Sequence, residues 1–321
     1  MDWFTASGEP GPVLLDCLTA ATAAPSIHNT QPWLFRAYDG TVDVLADHRR
    51  RLAVLDPDGR EMYVSVGAAV FNLRVAVSAA GRPATVSLDP EPDVAARLTL
   101  GPAAEPSRAA RALAGAIPRR HTNRRPFADK PIPFGTMEEL SGAATAEGAS
   151  LLPVGPELRD GVLALTRTAD NRMRANPDYL AELATWTTPP DIGRRDGVPR
   201  YAFGPRATDA HLPMRDLGLG HGAPTGIVDF EPDPSIVVLF SPGDTVADWL
   251  RAGAALQRLW LTATLRGLAV TPMTQLTEIS KLRELLADSS THYVAQSVLR
   301  IGYPLSPALA TPRRPLAEVL R

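Results

Sequence analysis

Two stretches of the chain repeat one pattern at one spacing. Gly67-Ala68-Ala69, Leu73 and Gly81 in the first half correspond to Gly253-Ala254-Ala255, Leu259 and Gly267 in the second. Residues 62–80 and 247–266 are therefore expected as two long buried helices, each ended by glycine. Ala20-Ala21-Thr22-Ala23 and Ala143-Ala144-Thr145-Ala146 form a second matched pair, in the same order. Matches kept in order point to an internal duplication and to a fold made of two related half-units. A length of 321 residues agrees with about two units. The expected halves are residues 1–105 and 106–321.

Composition narrows the function classes. The 33 Lys+Arg against 35 Asp+Glu leave a formal net charge of -2, so no whole-chain basic field invites nucleic acid. Cys17 is the single cysteine, which excludes an intrachain disulfide and any cysteine-rich metal site. The six histidines show no metal-ligand spacing. No apolar run approaches the ~20 residues of a bilayer span. The first residues lack a basic n-region and a long apolar stretch, so no secretory signal is read there and a cytoplasmic protein without a membrane partner is expected. The 31 prolines should mark loops and element ends.

A helix over residues 13–24 precedes two strands, 34–38 and 41–46, joined at Asp39-Gly40, a hairpin signal. Further strands are expected at 85–88, 96–100, 150–154, 235–241 and 298–303, with helices at 107–117, 137–147 and 158–174. Residues 176–226 show little periodicity and many Pro, Gly and Arg, as a lid or functional loop would.

Four segments carry candidate chemistry. Residues 25–33, Pro-Ser-Ile-His-Asn-Thr-Gln-Pro-Trp, place polar side chains between two prolines. They suit a planar ligand with acceptors on its edge, or they satisfy local backbone groups. Trp33 is expected to anchor this loop in the core. Residues 119–125 hold four Arg, His121 and Thr122. In an extended chain Arg120, Thr122 and Arg124 share a side and form a plausible phosphate cradle, unless the cluster is a solvated turn. The third segment, residues 267–274, ends a buried helix at glycine and passes through Thr-Pro-Met-Thr. The fourth is the tail, with Gly302-Tyr303-Pro304 and the pair Arg313-Arg314. No GxGxxG, P-loop or GxSxG motif is present.

Together, Pro25-Ser26-x-x-Asn29-x-Gln31-Pro32-Trp33, Arg120-His121-Thr122-Asn123-Arg124, the 267–274 segment and the tail resemble the FMN-dependent nitroreductase family. The resemblance is to its actinobacterial and mycobacterial, dormancy-linked branch. It implies an α+β fold, a mixed or antiparallel sheet flanked by helices. In an ordinary member the basic segment precedes the Pro-Ser-x-x-Asn motif; here it follows by about ninety residues. The ordinary family builds each flavin site from two subunits. This chain carries one copy of each contribution, on opposite halves, so it looks like a single-chain pseudo-dimer with one site kept. A monomer or loose homodimer is expected.

By resemblance, FMN, one per chain, would be held by Pro25, Ser26, Ile27, Asn29, Gln31, Arg120, His121, Thr122, Arg124, Pro272, Met273, Thr274, Arg313 and Arg314. Ser26 and Asn29 would meet the ring's polar edge, and Arg120, Thr122 and Arg313 or Arg314 the phosphate. The flavin does the redox chemistry, so no catalytic side chain and no metal is named. NAD(P)H would be the reductant, and a nitroaromatic or quinone the small-molecule acceptor. The insertion at 176–226, with Tyr179, Trp186, Tyr201 and Phe203, would cover the site. In the alternative, it closes the site and leaves a flavin-sequestering protein.

Overall fold

The computed structural model describes residues 3–6, 8–187, 194–208, 211–219, 225–286 and 293–321. In the first half, helix α1 (Pro12–Thr22) leads to a hairpin of β1 (Trp33–Tyr38) and β2 (Thr41–Ala46). Asp39 and Gly40 both take positive φ, 42° and 77°, as the two-residue hairpin turn requires. Helix α2 (Arg60–Ala79) follows, then β3 (Ala84–Glu91) and β4 (Val94–Leu100). The four strands make an antiparallel sheet in the order β1-β2-β4-β3.

The second half opens with α3 (Arg108–Ala116), α4 (Phe134–Thr145), β5 (Ser150–Pro153) and α5 (Pro156–Arg174). After α6 (Pro177–Trp186) a short parallel pair, β6 (Arg206–Ala207) and β7 (Ile227–Val228), closes the insertion. Then come β8 (Ser235–Ser241), α7 (Val246–Leu265), β9 (Ala269–Pro272) and β10 (Val294–Gly302). They form a second four-stranded antiparallel sheet, β5-β8-β10-β9. The mixed or antiparallel sheet implied by the resemblance is thus antiparallel and divided, four strands to each half. The first sheet buries one face in an apolar core around Trp33 and Leu98, whereas the second is buried on both faces, around Leu239 and Leu299 on one and Val238 and Val298 on the other.

The two repeated helices are packed on each other. A Cβ added to Gly67 would lie 2.0 Å from the carbonyl oxygen of Leu250, and one added to Gly253 would lie 2.0 Å from that of Val64. The contact is reciprocal: one offset of 186 residues relates both glycines and both carbonyls. Only a residue without a side chain allows backbones this close. Helix α7 starts at a capping box, Thr245 with Asp248, which fixes where the crossing falls. Among the described residues α2 is long and apolar enough to match a membrane span by composition, which the sequence reading did not foresee. It is mostly buried in the fold, between α1, α7 and the first sheet.

Two boundaries differ from expectation. The stretch 176–226 contains a regular helix, α6, started by Asn176, whose side chain accepts from the Asp178 N–H. Its ten residues are too short and too mixed for periodicity to reveal. The tail crosses back to the first half: the Arg321 N–H donates to the Phe35 carbonyl at 2.8 Å, and Val319 is buried in the first core.

Candidate functional site

The loop after α1 is held in an uncommon conformation. Residues Ile27–Asn29 make one 3-10 turn, and His28, Asn29 and Gln31 have φ of 43°, 56° and 51°. Non-glycine residues rarely sit there, and such strain survives only where surroundings impose it. Here the Ile27 N–H donates to Ser65 Oγ on α2 at 3.1 Å, and the Gln31 N–H to Ser26 Oγ at 3.0 Å. Trp33 anchors the loop, fully buried as expected.

The basic segment runs extended beside β9, with Thr122 bridged to Val270 and the Asn123 N–H donating to the Val270 carbonyl. Alternation does put Arg120, Thr122 and Arg124 on one pocket, together with His121, Ser26, Asn29 and Arg313. A second, more apolar pocket shares Pro25, Ser26, Thr122 and Arg124 with it and continues to Val64, Leu256, Trp260 and Pro272. One cleft therefore has a cationic end and an apolar end. It is walled by both halves.

The cationic end is under-neutralised. Arg120 is buried and lies over the Trp260 ring, its guanidinium carbon 4.7 Å from the centroid. Nη2 donates to the Ala23 carbonyl at 3.1 Å, but Nε and Nη1 have no partner. Arg313 donates to Asn29 Oδ1 at 3.0 Å and to the Ala23 and Ala24 carbonyls, and its Nε is also unpartnered. Arg124 donates to the Ala202 carbonyl. Among the described residues no carboxylate pairs with any of the three. Burial lowers Arg120 to about 9, helped by Arg313. Burial likewise lowers Arg124 to about 10, helped by Arg215, and Arg313 to about 10. Buried cations without anions are costly, so the arrangement calls for an anionic ligand.

Several expected residues sit elsewhere. Gln31 is fully buried and does not line the cleft; it bonds the Arg195 carbonyl and the Arg314 N–H. Arg314 is spent on the Gln31 carbonyl and on Glu318, so Arg313 is the tail residue at the site. Met273 is a core residue of the second half, because the chain alternates there between Pro272 and Thr274, which do line the cleft. Asn29 borders the cleft, but its amide ties three segments together: it donates to the Gly197 and Pro312 carbonyls and accepts from Arg313. It is not free for a ring edge. Ile27 and Ser26 line the cleft as expected.

The insertion covers the loop without placing its aromatics in the cleft. Tyr179 and Phe203 are buried in a separate cluster with Leu52 and Leu183, and Trp186 packs against it. Tyr201 donates to the Ala310 carbonyl and borders a small side pocket beside Arg124. Arg215 and Leu217 reach the cleft instead. Arg215 pairs with the buried Glu278 and donates to the Tyr179 hydroxyl. A lone arginine in an irregular segment leaves no sequence signal. Glu61, Ser65 and His28 were also missed. Glu61, Ser65 and Ala68 follow helical spacing on one face of α2, a signal the sequence did contain. His28 is buried with both ring nitrogens unpartnered, and burial, with Arg215 and Arg124, holds it well below the usual histidine range.

Rv3131 of Mycobacterium tuberculosis, provisionally named an NAD(P)H nitroreductase, is 34% identical over 311 residues, 94% of this chain and 89% of its own. The chain belongs to the nitroreductase family. The Nitroreductase family model itself matches residues 222–303, the part of this nitroreductase-family chain that holds β8, α7, β9 and β10. The M. tuberculosis protein acg, provisionally named likewise, is 31% identical over 96% of this chain and 95% of its own. Among solved structures, the FMN-dependent nitroreductase NfnB of Mycobacterium smegmatis, in complex with NADPH, covers 66% of this chain and 98% of its own at 20% identity and a TM-score of 0.39.

Proposed function

We propose that this nitroreductase-family chain binds one FMN and uses NAD(P)H to reduce small acceptors of nitroaromatic or quinone type. The observation that carries the proposal is the set of unpartnered guanidinium nitrogens on Arg120 and Arg313, at one end of a cleft whose other end is apolar. A phosphate dianion fits the first end, accepting from both arginines and from Thr122. A flat ring fits the second, against Val64, Leu256 and Pro272. When bound, FMN supplies the hydride and electron chemistry. The chain's own residues would orient it: the Ser26 hydroxyl and the Thr274 backbone N–H offer hydrogen bonds along the cleft, and Arg124 places positive charge where a reduced ring gathers negative charge.

A single FMN per chain is supported by what became of the related cleft. The 186-residue offset relates Ser65 to Arg251 and Trp260 to Arg74. Arg74 and Arg258 both pair with Glu147, at 2.5 and 2.7 Å, and Arg251 pairs with Asp248. A serine and a tryptophan border the cleft on one side; two arginines stand in the related positions on the other. This pattern favours an ancestral two-site dimer fused into a single chain.

The sequestering alternative has one observation in its favour. The insertion is tied to the motif loop through Gly197 to Asn29, Arg195 to Gln31 and Asp196 to Arg50. Such ties resist opening. Reconstitution with FMN followed by anaerobic NADPH separates the readings. Bleaching of the flavin band within seconds to minutes supports a reductase. A loaded protein that stays yellow, while dithionite bleaches it, supports sequestration. A flavin ratio near two per chain overturns the single-site reading.

A further inference from the structure

Glu61 stands in the first turn of α2, in the wall between two cavities. On one side is the candidate site, where Glu61 neighbours His28 and Ser65; on the other is an outer cleft that it shares with Asp56, Tyr63 and Trp249. The side chain is 6% exposed. Arg60 Nη2 donates to Oε1, while Arg60 is also held by the carbonyls of Gln296 and Thr277. No donor to Oε2 is found among the described residues. The charges acting on Glu61 are Arg60 beside it, Asp56, which accepts the Glu61 N–H, Glu278 in the outer cleft and Arg215 in the candidate site, where Arg124 and the neutral His28 also stand.

Of the other polar groups lining the site, Ser297 Oγ is buried without a partner among the described residues, but a hydroxyl is too weak an acid near neutrality; Arg215 and Thr274 are committed. Arg215 is paired with Glu278, and the Thr274 hydroxyl donates to Glu278 at 2.7 Å. His28, flanked by two arginines, is kept unprotonated and is a poor acid. Glu61 differs: burial, with Glu278 and Asp56, outweighs Arg60 and Arg215 and pushes the carboxyl up to about 7. A carboxyl half-protonated near neutrality is well matched to proton transfer.

We propose that Glu61 is the acid that hands a proton to the electron acceptor, and that it is recharged from the outer cleft. The proposal rests on the reductase reading. Bound FMN, once reduced, would supply a quinone acceptor with a hydride, two electrons with one proton. The oxygen that gathers the negative charge takes the carboxyl proton of Glu61, giving the hydroquinone. The carboxyl O–H bond breaks as the product O–H bond forms, and water in the outer cleft returns a proton to the carboxylate.

The test uses FMN-loaded protein reduced with dithionite, so that it does not depend on NADPH. Stopped-flow reoxidation by a benzoquinone should slow about tenfold per pH unit above pH 7 in the wild type. Glu61→Gln should be slower by about 10²-fold and lose that pH dependence. Reoxidation by ferricyanide, which takes electrons without protons, should be unchanged in both. Ligand-free protein gives a second readout: infrared titration should show a carboxylic-acid carbonyl band vanishing around pH 7, absent in Glu61→Gln. A flat quinone profile in wild type, an equal loss with ferricyanide, or no protonated carboxyl at pH 6 would each overturn the role of Glu61. Failure to hold FMN at all would instead overturn the reductase reading, leaving the infrared result to judge Glu61.

Discussion

Arg120 at the cationic end of the cleft stacks on Trp260 at the apolar end, the guanidinium carbon 4.7 Å from the ring centroid. The stack aims a buried cation at the pocket and leaves two of its nitrogens unpaired. Cation–π attraction is worth about 2 kcal/mol when desolvated and does not replace an anion.

Replacing Arg120 should therefore move two quantities in opposite directions. Arg120→Met removes an unpaired buried charge, so the ligand-free protein should melt higher. FMN affinity should drop by about 10-fold or more, the loss of a charge-assisted hydrogen bond of roughly 1.5–3 kcal/mol. Differential scanning fluorimetry with and without FMN reads both; a lower melting temperature with unchanged affinity would contradict the assignment.

The tail arginines should separate cleanly. Arg313→Ala should lower FMN retention after gel filtration. Arg314→Ala should leave the retained flavin nearly intact but lower the melting temperature, because Arg314 fastens Gln31 and the tail. Equal flavin loss in both variants would mean the tail acts only as a strap.

The helix crossing makes a stability prediction. Gly67→Ala and Gly253→Ala each place a Cβ 2.0 Å from a carbonyl oxygen. Backbones must part, at about 3 kcal/mol or more. Urea titration of either variant should show it, and Gly142→Ala, where a Cβ meets nothing within 4 Å, serves as the control.

Acid should destabilise the ligand-free protein through its neutral histidines. Burial lowers His28, with Arg215 and Arg124, and lowers His121, with Arg120 and Arg313. A lowered histidine leaves stability intact above the unfolded value of about 6.5; below it the unfolded chain takes up the proton first. Stability should fall as pH drops from 6.5, by up to about 1.4 kcal/mol per unit for each histidine. Glu61, raised to about 7, acts the other way: its contribution is full below the unfolded carboxyl value and is lost as pH rises through 7. Glu61→Gln should therefore steepen the fall on acidification, measured as urea midpoints between pH 5 and 7. A slope equal to that of the wild type would refute this.

Much of the frame was legible because it rests on local rules. Strand β8 coincides with the apolar run read at 235–241, and the Asp39-Gly40 turn sits where its two positive φ values are needed. The basic segment was legible because an extended chain alternates. What stayed hidden depends on contacts far apart in sequence. Nothing near Asn29 says that its amide will be consumed by Gly197 and Pro312. Arg215 enters the cleft only because Glu278, 63 residues away, holds it. Tyr179, Trp186 and Phe203 of the insertion looked like ligand contacts, yet packing them beside Leu52 and Leu183 removes more apolar surface from water.

The reciprocal glycine contact acts as a gauge block. Backbone atoms, which neither rotate nor compress, set the spacing of the halves at the crossing. The cleft spans those halves, so its width is inherited from the crossing rather than tuned by the side chains around it. Relatives that keep both glycines should keep the same gap and vary in what they admit only through the insertion above it.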